Sequence, residues 1–160
     1  MTEQNRSETI RNIIEGKAGF NQFLDLSQNQ LAAIAALGFR FYEQGSLGDA
    51  RTIFEGLVVL DPNLYYGYAG LGAMALRDGS LEDAVAHLKR AAGLQPDDPA
   101  VHANLGEALL RQANFTDAAA EFGQALNLDP NRRNAGANRA RAILQGMDLV
   151  VSGMKRAAAG

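Results

Sequence analysis

Apolar residues recur at intervals of three and four positions along most of the chain, and no stretch alternates in the manner of a β-strand. The pattern predicts helices near residues 28–44, 47–60, 64–78, 81–94, 98–112 and 115–128, and a longer amphipathic helix over about 132–156. The apolar stripe of this last helix consists of Ala140, Ile143, Leu144, Met147, Val151 and Met154. Ser27 followed by Gln30 is a capping-box signal for the start of the first of these helices. The sequence therefore predicts an all-α chain.

The six shorter helices fall into three blocks of 34 residues, 31–64, 65–98 and 99–132. Position 8 is always glycine (Gly38, Gly72, Gly106), position 20 is alanine (Ala50, Ala84, Ala118), position 24 is large and apolar (Phe54, Leu88, Phe122), and position 32 is proline (Pro62, Pro96, Pro130). A small residue opposite a large one lets the two helices of a block approach closely. This period and these residues are typical of tetratricopeptide repeats.

The sequence thus predicts a tetratricopeptide-repeat solenoid of three helix pairs over residues 28–132, with an N-terminal helical leader over 1–27. Because a stacked repeat exposes its last apolar face, the helix within residues 133–160 is expected to cap the array. Gly45, Gly79 and Ala113 lie between the two helical patterns of their repeats, where a helix-ending residue is expected. Each proline at position 32 is expected to begin the helix that follows it, where its missing N–H is harmless.

The leader contains more apolar side chains than a solvated segment normally exposes. They are Ile10, Ile13, Ile14, Phe20, Phe23 and Leu24. We expect this segment either to fold back on the first repeat or to form a homodimer with a second copy of the chain.

Composition indicates a protein without catalytic chemistry. The chain has no cysteine, and its two histidines, His87 and His102, lie fifteen residues apart on different predicted helices. His102 occupies position 4 of its repeat, which is usually a packing position, and no metal-ligand spacing is present. We therefore expect no enzyme activity, no cofactor and no metal. The absence of a signal-like segment or a long apolar stretch predicts a cytoplasmic protein without membrane insertion.

The formal net charge of −3 is unevenly distributed. Six basic residues and one acidic residue, Asp148, follow position 130, whereas the preceding residues carry 9 positive and 17 negative charges, a net of −8. A basic terminal helix could contact nucleic acid or an acidic partner. We interpret it as a solvated helix face and expect no nucleic acid, because no aromatic residues alternate with the arginines.

The first helices of tetratricopeptide repeats line a concave surface, and the side chains they present here predict a peptide-binding groove. The candidate residues are Phe39, Tyr42 and Glu43 in the first repeat, Tyr66, Ala69, Ala73, Leu76 and Arg77 in the second, and Glu107, Leu110 and Arg111 in the third. Alanines would form the floor, and the aromatic and aliphatic residues would form walls that hold apolar side chains of an extended peptide. The alternative for some of these aromatic residues is packing between helices.

Several stretches resemble the class II tetratricopeptide chaperones of type III secretion translocator proteins, the low-calcium-response H family. The matching stretches are Leu37-Gly38-Phe39 with Tyr42 and Gly45, Asp49-Ala50 with Ile53-Phe54, Val59-Leu60-Asp61, Gly70-Leu71-Gly72-Ala73, and the end of the leader, Phe23-Leu24-Asp25-Leu26-Ser27. The resemblance implies a cytoplasmic chaperone that holds an extended translocator segment in its groove and keeps the translocator soluble before export. The alternative is a general interaction scaffold in another bacterial assembly system.

Gly67 and Gly70 stand out within this resemblance because they add two glycines to one predicted helix. Each costs about 1 kcal/mol relative to alanine in a helix interior. Such a cost requires a compensating reason, either close approach of the backbone to a neighbouring helix or a mobile helix.

Overall fold

The computed structural model describes residues 3–15, 17 and 19–158, and within these residues it contains nine helices and no strand. The helices are α1 (Glu3–Ile14), α2 (Phe20–Phe23), α3 (Gln28–Gln44), α4 (Leu47–Leu60), α5 (Tyr65–Asp78), α6 (Leu81–Leu94), α7 (Pro99–Arg111), α8 (Phe115–Leu128) and α9 (Ala135–Ala158). The all-α prediction is confirmed, and the ends of α3 to α8 lie within one residue of the predicted ends.

Local chemistry explains where α3 begins and where α3 and α5 end. At the start of α3, the Ser27 hydroxyl accepts a hydrogen bond from the Gln30 amide, and the Gln30 side chain accepts one from the Ser27 amide, 2.8 Å away. Both helices end at a glycine, Gly45 and Gly79, whose φ of 82° is in the left-handed region that side chains disfavour. The predicted capping box and both glycine stops are therefore present.

The prediction that each proline at position 32 begins a helix is wrong, because Pro62, Pro96 and Pro130 all lie in turns ahead of the next helix. The amide of Leu64 donates to the carbonyl of Asp61 over 3.0 Å, so Pro62 is the second residue of a four-residue turn. Pro130 has the same place in the turn from Asp129 to Arg132. Proline favours this position because its ring fixes the φ angle that the turn requires.

The chain forms two compact units, one up to Leu94 and the other from Gln95. In the first unit, α5 packs against α3, α4 and α6, and the short helix α2 contacts α4. In the second unit, α7 packs against both α8 and α9. The first unit thus contains the leader and two repeats, and the second contains the third repeat and the terminal helix.

The position-8 glycines make the predicted close contacts. A Cβ atom added to Gly38, Gly72 or Gly106 would lie less than 3.0 Å from Phe54, Leu88 or Phe122, respectively. These three large side chains are completely or almost completely buried. The pairing of a small residue with a large one therefore occurs in each repeat.

The unusual glycines of α5, Gly67 and Gly70, have the same physical reason. A Cβ atom at Gly67 would lie 2.7 Å from a methyl group of Val58, and one at Gly70 would overlap three ring atoms of Phe54. Both neighbours belong to α4. The backbone of α5 therefore rests directly on α4, and close approach explains the extra glycines.

Helix α9 covers the last repeat with only its first half. Ala137 and Ala140 are buried where α9 packs against α7 and α8, whereas Met147, Val151 and Met154 are exposed. The 24 residues of α9 span about 36 Å, compared with about 20 Å for the 13 residues of α7. The terminal helix therefore extends well past the repeat that it caps.

Asp129 fixes the chain at the start of this cap. Its buried carboxylate accepts hydrogen bonds from the amides of Arg133 and Asn134 and from the guanidinium of Arg141, which also donates to the Asp129 carbonyl. Burial by itself raises the pKa of the Asp129 carboxyl, but the two amides and Arg141 outweigh it and hold that pKa below its ordinary value of 3.8.

This arrangement predicts an acid-sensitive attachment of α9. Because the pKa of Asp129 is lower in the folded state, the unfolded chain takes up this proton first as the pH falls. The stabilisation is thus fully present above about pH 4 and decreases as the pH drops through the folded-state pKa. We expect Asp129→Asn to reduce this acid dependence in unfolding curves measured between about pH 2.5 and pH 6. Asp148→Asn, at an exposed site, should leave the dependence unchanged.

Candidate peptide-binding surface

Eight of the predicted groove residues lie on α3 and α5 in the first unit. We use the name α3–α5 surface for six of them: Phe39, Tyr42, Tyr66, Ala69, Ala73 and Arg77. The Tyr42 hydroxyl donates to the carbonyl of Ala73 over 3.5 Å, and Arg77 donates to the carbonyl of Tyr42 over the same distance. The Arg77 guanidinium also lies 5.5 Å from the centre of the Tyr42 ring. Tyr42 is therefore held between two helices.

The aromatic rings of this surface are half-buried. Phe39 packs on the buried Phe54 with ring centres 4.9 Å apart, and Tyr66 packs on Tyr65 with ring centres 4.2 Å apart. Each of Phe39, Tyr42 and Tyr66 contacts the core of the first unit while keeping part of its side chain accessible. Each of these three rings therefore packs between helices on one side and presents apolar surface to solvent on the other.

Three residues of α5 that were predicted to form the floor and a wall of the groove are buried. Ala69 and Ala73 are buried small side chains, and their place in the floor of a groove stays a prediction. Leu76 is also buried, with 6% of its surface exposed, so its assignment to an accessible wall is wrong for this structure. The reason is the position of α5, which packs against three other helices of its unit and buries eight of its fourteen residues.

Two charged side chains lie near the ends of α3 and α5, and one of them, Arg77, belongs to the α3–α5 surface. Glu43 at the end of α3 is exposed, and so is Arg77 near the end of α5. Arg77 is nevertheless restrained by its contacts with Tyr42. A guanidinium fixed in this way can donate to a carbonyl or carboxylate of a bound chain at little cost in conformational entropy.

The three candidates on α7 belong to the second unit, where Glu107 has a structural role. Its carboxylate pairs with Arg111 at 2.5 Å and with Arg139 of α9 at 3.2 Å, and Arg139 also donates to Asn104. Glu107 therefore helps to hold α9 against α7. Leu110 is half-buried and Arg111 is exposed.

Two of the candidate residues, Tyr66 and Glu107, have partners that were not predicted from the sequence. Tyr65 stacks on Tyr66, and its only signal in the sequence was the adjacency of the two tyrosines. Arg139 neutralises Glu107 from 32 positions away, and no local pattern predicts such a pair.

The leader has features of both predicted arrangements. Asn21 is buried and donates to the carboxylate of Asp61 over 3.3 Å, which ties the leader to the end of α4. Ile10, Ile13, Ile14 and Phe20 line one apolar depression, and Ile14 is 80% exposed. Leu24 is exposed, and the side chain of Phe23 lies outside the described part of the structure. Pairing with a second copy through these residues stays a prediction.

His102 does more than pack. It is buried, with Nδ1 2.7 Å from a carboxylate oxygen of Glu121 and Nε2 2.9 Å from the carbonyl oxygen of Pro96. Its ring thereby joins α7, α8 and the segment before α7.

In the described part of the chain, no cluster of three or more His, Cys, Asp or Glu side chains could hold a metal ion. The helices of that part also include none long and apolar enough to cross a membrane.

Two tetratricopeptide-repeat family models match the sequence, one over residues 35–99 and the other over residues 75–143. No protein with a curated description matches it. PcrH from Pseudomonas aeruginosa is among the similar solved structures, with 30% identity, a TM-score of 0.63, and coverage of 76% of this chain and 93% of PcrH.

Two further similar structures contain bound segments. One is PcrH in complex with the chaperone binding region of PopB, with 30% identity, a TM-score of 0.61, and coverage of 73% of this chain and 96% of PcrH. The other is the Yersinia enterocolitica type III secretion chaperone SycD in complex with a peptide of the translocator YopD. Its identity is 25%, its TM-score is 0.64, and the match covers 78% of this chain and 96% of SycD. The chain belongs to the tetratricopeptide-repeat class II chaperones of type III secretion.

Proposed function

We propose that this chain is a cytoplasmic, non-enzymatic chaperone that binds an extended segment of a type III secretion translocator protein and keeps that protein soluble before export. We assign the binding to the α3–α5 surface. The proposal rests on one observation above all: PcrH, 30% identical over nearly its whole length, has been crystallised with the chaperone binding region of PopB. The SycD complex with a YopD peptide supports the same class of client.

The chemistry of the α3–α5 surface suits such a client. Phe39, Tyr42 and Tyr66 present rings that are fixed by packing, so little conformational entropy is lost when a peptide covers them. Alternate side chains of an extended segment point in the same direction about 6.6 Å apart, which allows successive apolar residues to contact successive rings. Covering apolar client residues removes the surface through which the client would aggregate.

The expected affinity of an isolated segment is modest. Each buried apolar side chain contributes about 1.5–3 kcal/mol, and association costs at least about 4 kcal/mol. Three anchors with a few backbone hydrogen bonds therefore favour micromolar binding. A longer client that wraps around more of the chaperone would bind more tightly.

Tyr42→Ala provides the test, because it removes the ring that α5 holds in place. We expect the mutation to weaken binding of a fluorescein-labelled translocator peptide at least about tenfold in an anisotropy titration. The matched control is Tyr68→Ala in α5, since the Tyr68 ring faces α6, 5.7 Å from the Arg90 guanidinium and 6.3 Å from the centre of the His87 ring. Equal affinities for wild type and Tyr42→Ala, with both proteins folded, would contradict the assignment to the α3–α5 surface.

A further inference from the structure

The second half of α9 carries an apolar stripe that the described residues leave uncovered. Met147, Val150, Val151 and Met154 are between 40% and 67% exposed, and three of them line an open apolar depression together with Ile143 and Gly146. The stripe continues the helix face on which Ala140 is buried and on which Gly136 contacts Ala100 of α7. The same face is therefore packed in the first half of α9 and open in the second.

The spacing of the stripe is that of a helix-pairing seam. Ile143, Met147, Val150 and Met154 follow one another at steps of four, three and four residues, which is the a/d spacing of a heptad repeat. Side chains at this spacing interlock with those of another helix, whereas an extended strand would meet them out of register. The occupant that fits is therefore a helix with an apolar seam.

The seam is also complementary to itself. The order of steps is the same in both directions, so two antiparallel α9 helices related by a two-fold axis between residues 148 and 149 would place Ile143 opposite Met154 and Met147 opposite Val150. Gly146 beside the seam permits close approach of the helices. The charged residues of this half, Asp148, Lys155 and Arg156, lie outside the seam, so no charge would be buried.

An antiparallel arrangement is also sterically favoured over a parallel one. Helices α7 and α8 cover only the first half of α9. Antiparallel pairing therefore places α7 and α8 of the two chains at opposite ends of the helix pair. Parallel pairing would bring them side by side. We propose that a second copy of this chain covers the α9 stripe, with the two α9 helices packed antiparallel about residues 148 and 149.

Disulfide cross-linking of full-length protein tests the register directly, because the chain has no native cysteine. Met147→Cys and Val150→Cys are prepared separately with different tags and mixed in a glutathione buffer. We expect the mixed 147–150 disulfide to exceed either homodisulfide by about tenfold or more, because only that pair faces across the antiparallel seam. Preferred 147–147 linkage would overturn the antiparallel arrangement, and the absence of all linkage would overturn self-association.

A pair of adjacent substitutions tests the interface without cysteine. Val150→Asp places a charge in the seam, whereas Leu149→Asp places one on the opposite face of α9, where Leu149 is 68% exposed. We expect Val150→Asp to raise the dimer dissociation constant about a hundredfold in sedimentation equilibrium, since each dimer contains the change twice, and Leu149→Asp to leave it nearly unchanged. Circular dichroism establishes that both variants fold.

The proposal would be overturned if Val150→Asp and wild type had the same mass distribution in sedimentation equilibrium. A single cysteine at Val150 that reacts freely with maleimide in the chaperone alone, and becomes protected only when a translocator is added, would assign the stripe to a helix of the client instead. Loss of translocator binding in Tyr42→Ala with normal 147–150 cross-linking would show that the two surfaces act independently.

Discussion

Gly70→Ala is expected to lower the free energy of unfolding of the first unit by about 2 kcal/mol, even though alanine is the better helix former. The gain in helix propensity is about 1 kcal/mol. Against it stands the overlap of the new methyl group with three ring atoms of Phe54, which is fully buried and itself packs on Phe39. Because that ring has no free space to move into, overpacking outweighs propensity, and the sign of the change is the opposite of the usual one.

The tyrosines make this measurement specific to the first unit. All four tyrosines lie between positions 42 and 68, and the chain has no tryptophan, so tyrosine fluorescence in a urea titration reports on that unit. The matched control is Gly93→Ala in α6, where a Cβ atom would have no neighbour within 4 Å. We expect Gly93→Ala to raise the stability by up to about 1 kcal/mol. If Gly70→Ala behaved like Gly93→Ala, the close approach of α5 to α4 would be incorrect.

A double-mutant cycle identifies Phe54 as the cause. The methyl group of Gly70→Ala would overlap the ring of Phe54, and leucine is smaller than phenylalanine and has no ring. Phe54→Leu should therefore make room for the methyl group of Gly70→Ala. We expect the two changes together to cost less than the sum of their separate effects, by about 1 kcal/mol, because the residues are in direct contact.

The helices and their pairing within repeats were predictable because they depend on short-range signals. The three-to-four spacing of apolar residues, the capping box at Ser27 and the glycines Gly45 and Gly79 act within a few positions. The position-8 glycines predicted the helix contacts because the 34-residue period repeats the same steric requirement. The turn function of Pro62 and Pro130 was missed because proline suits both a helix start and the second position of a turn.

The candidate site was only partly predictable because accessibility depends on distant parts of the chain. The aromatic residues Phe39, Tyr42 and Tyr66 keep accessible surface, but Leu76 is buried as a consequence of the packing around α5. Glu107 was assigned to the groove, yet its carboxylate pairs with Arg139, which a local pattern does not reveal. Repeat position identifies the helix face of a residue, whereas the partners of that face come from elsewhere in the sequence.

His102 also has contacts that its repeat position does not reveal. Repeat position 4 indicated a packing residue, and a residue that only packs should tolerate leucine with little change in stability. The structure instead places both ring nitrogens within 2.9 Å of acceptors, the Glu121 carboxylate and the Pro96 carbonyl. Leucine would fill much of the same space but would leave both acceptors without this partner. His102 is buried, whereas Glu121 is half-buried and Pro96 is exposed, so water can replace part of what is lost. We therefore expect His102→Leu to lower the free energy of unfolding of the second unit by about 1–2 kcal/mol.

Hydrogen exchange separates this prediction from a packing effect. The loss of protection against exchange in His102→Leu should be largest at the backbone amides of α7 and α8, because the His102 ring joins these helices. His87→Leu is the matched control, because His87 is half-buried on α6 and should tolerate leucine within about 0.5 kcal/mol. His102→Gln, which retains a donor, should recover part of the loss. Unchanged or increased protection in His102→Leu would mean that the ring serves only as packing and that its two polar contacts contribute nothing to stability.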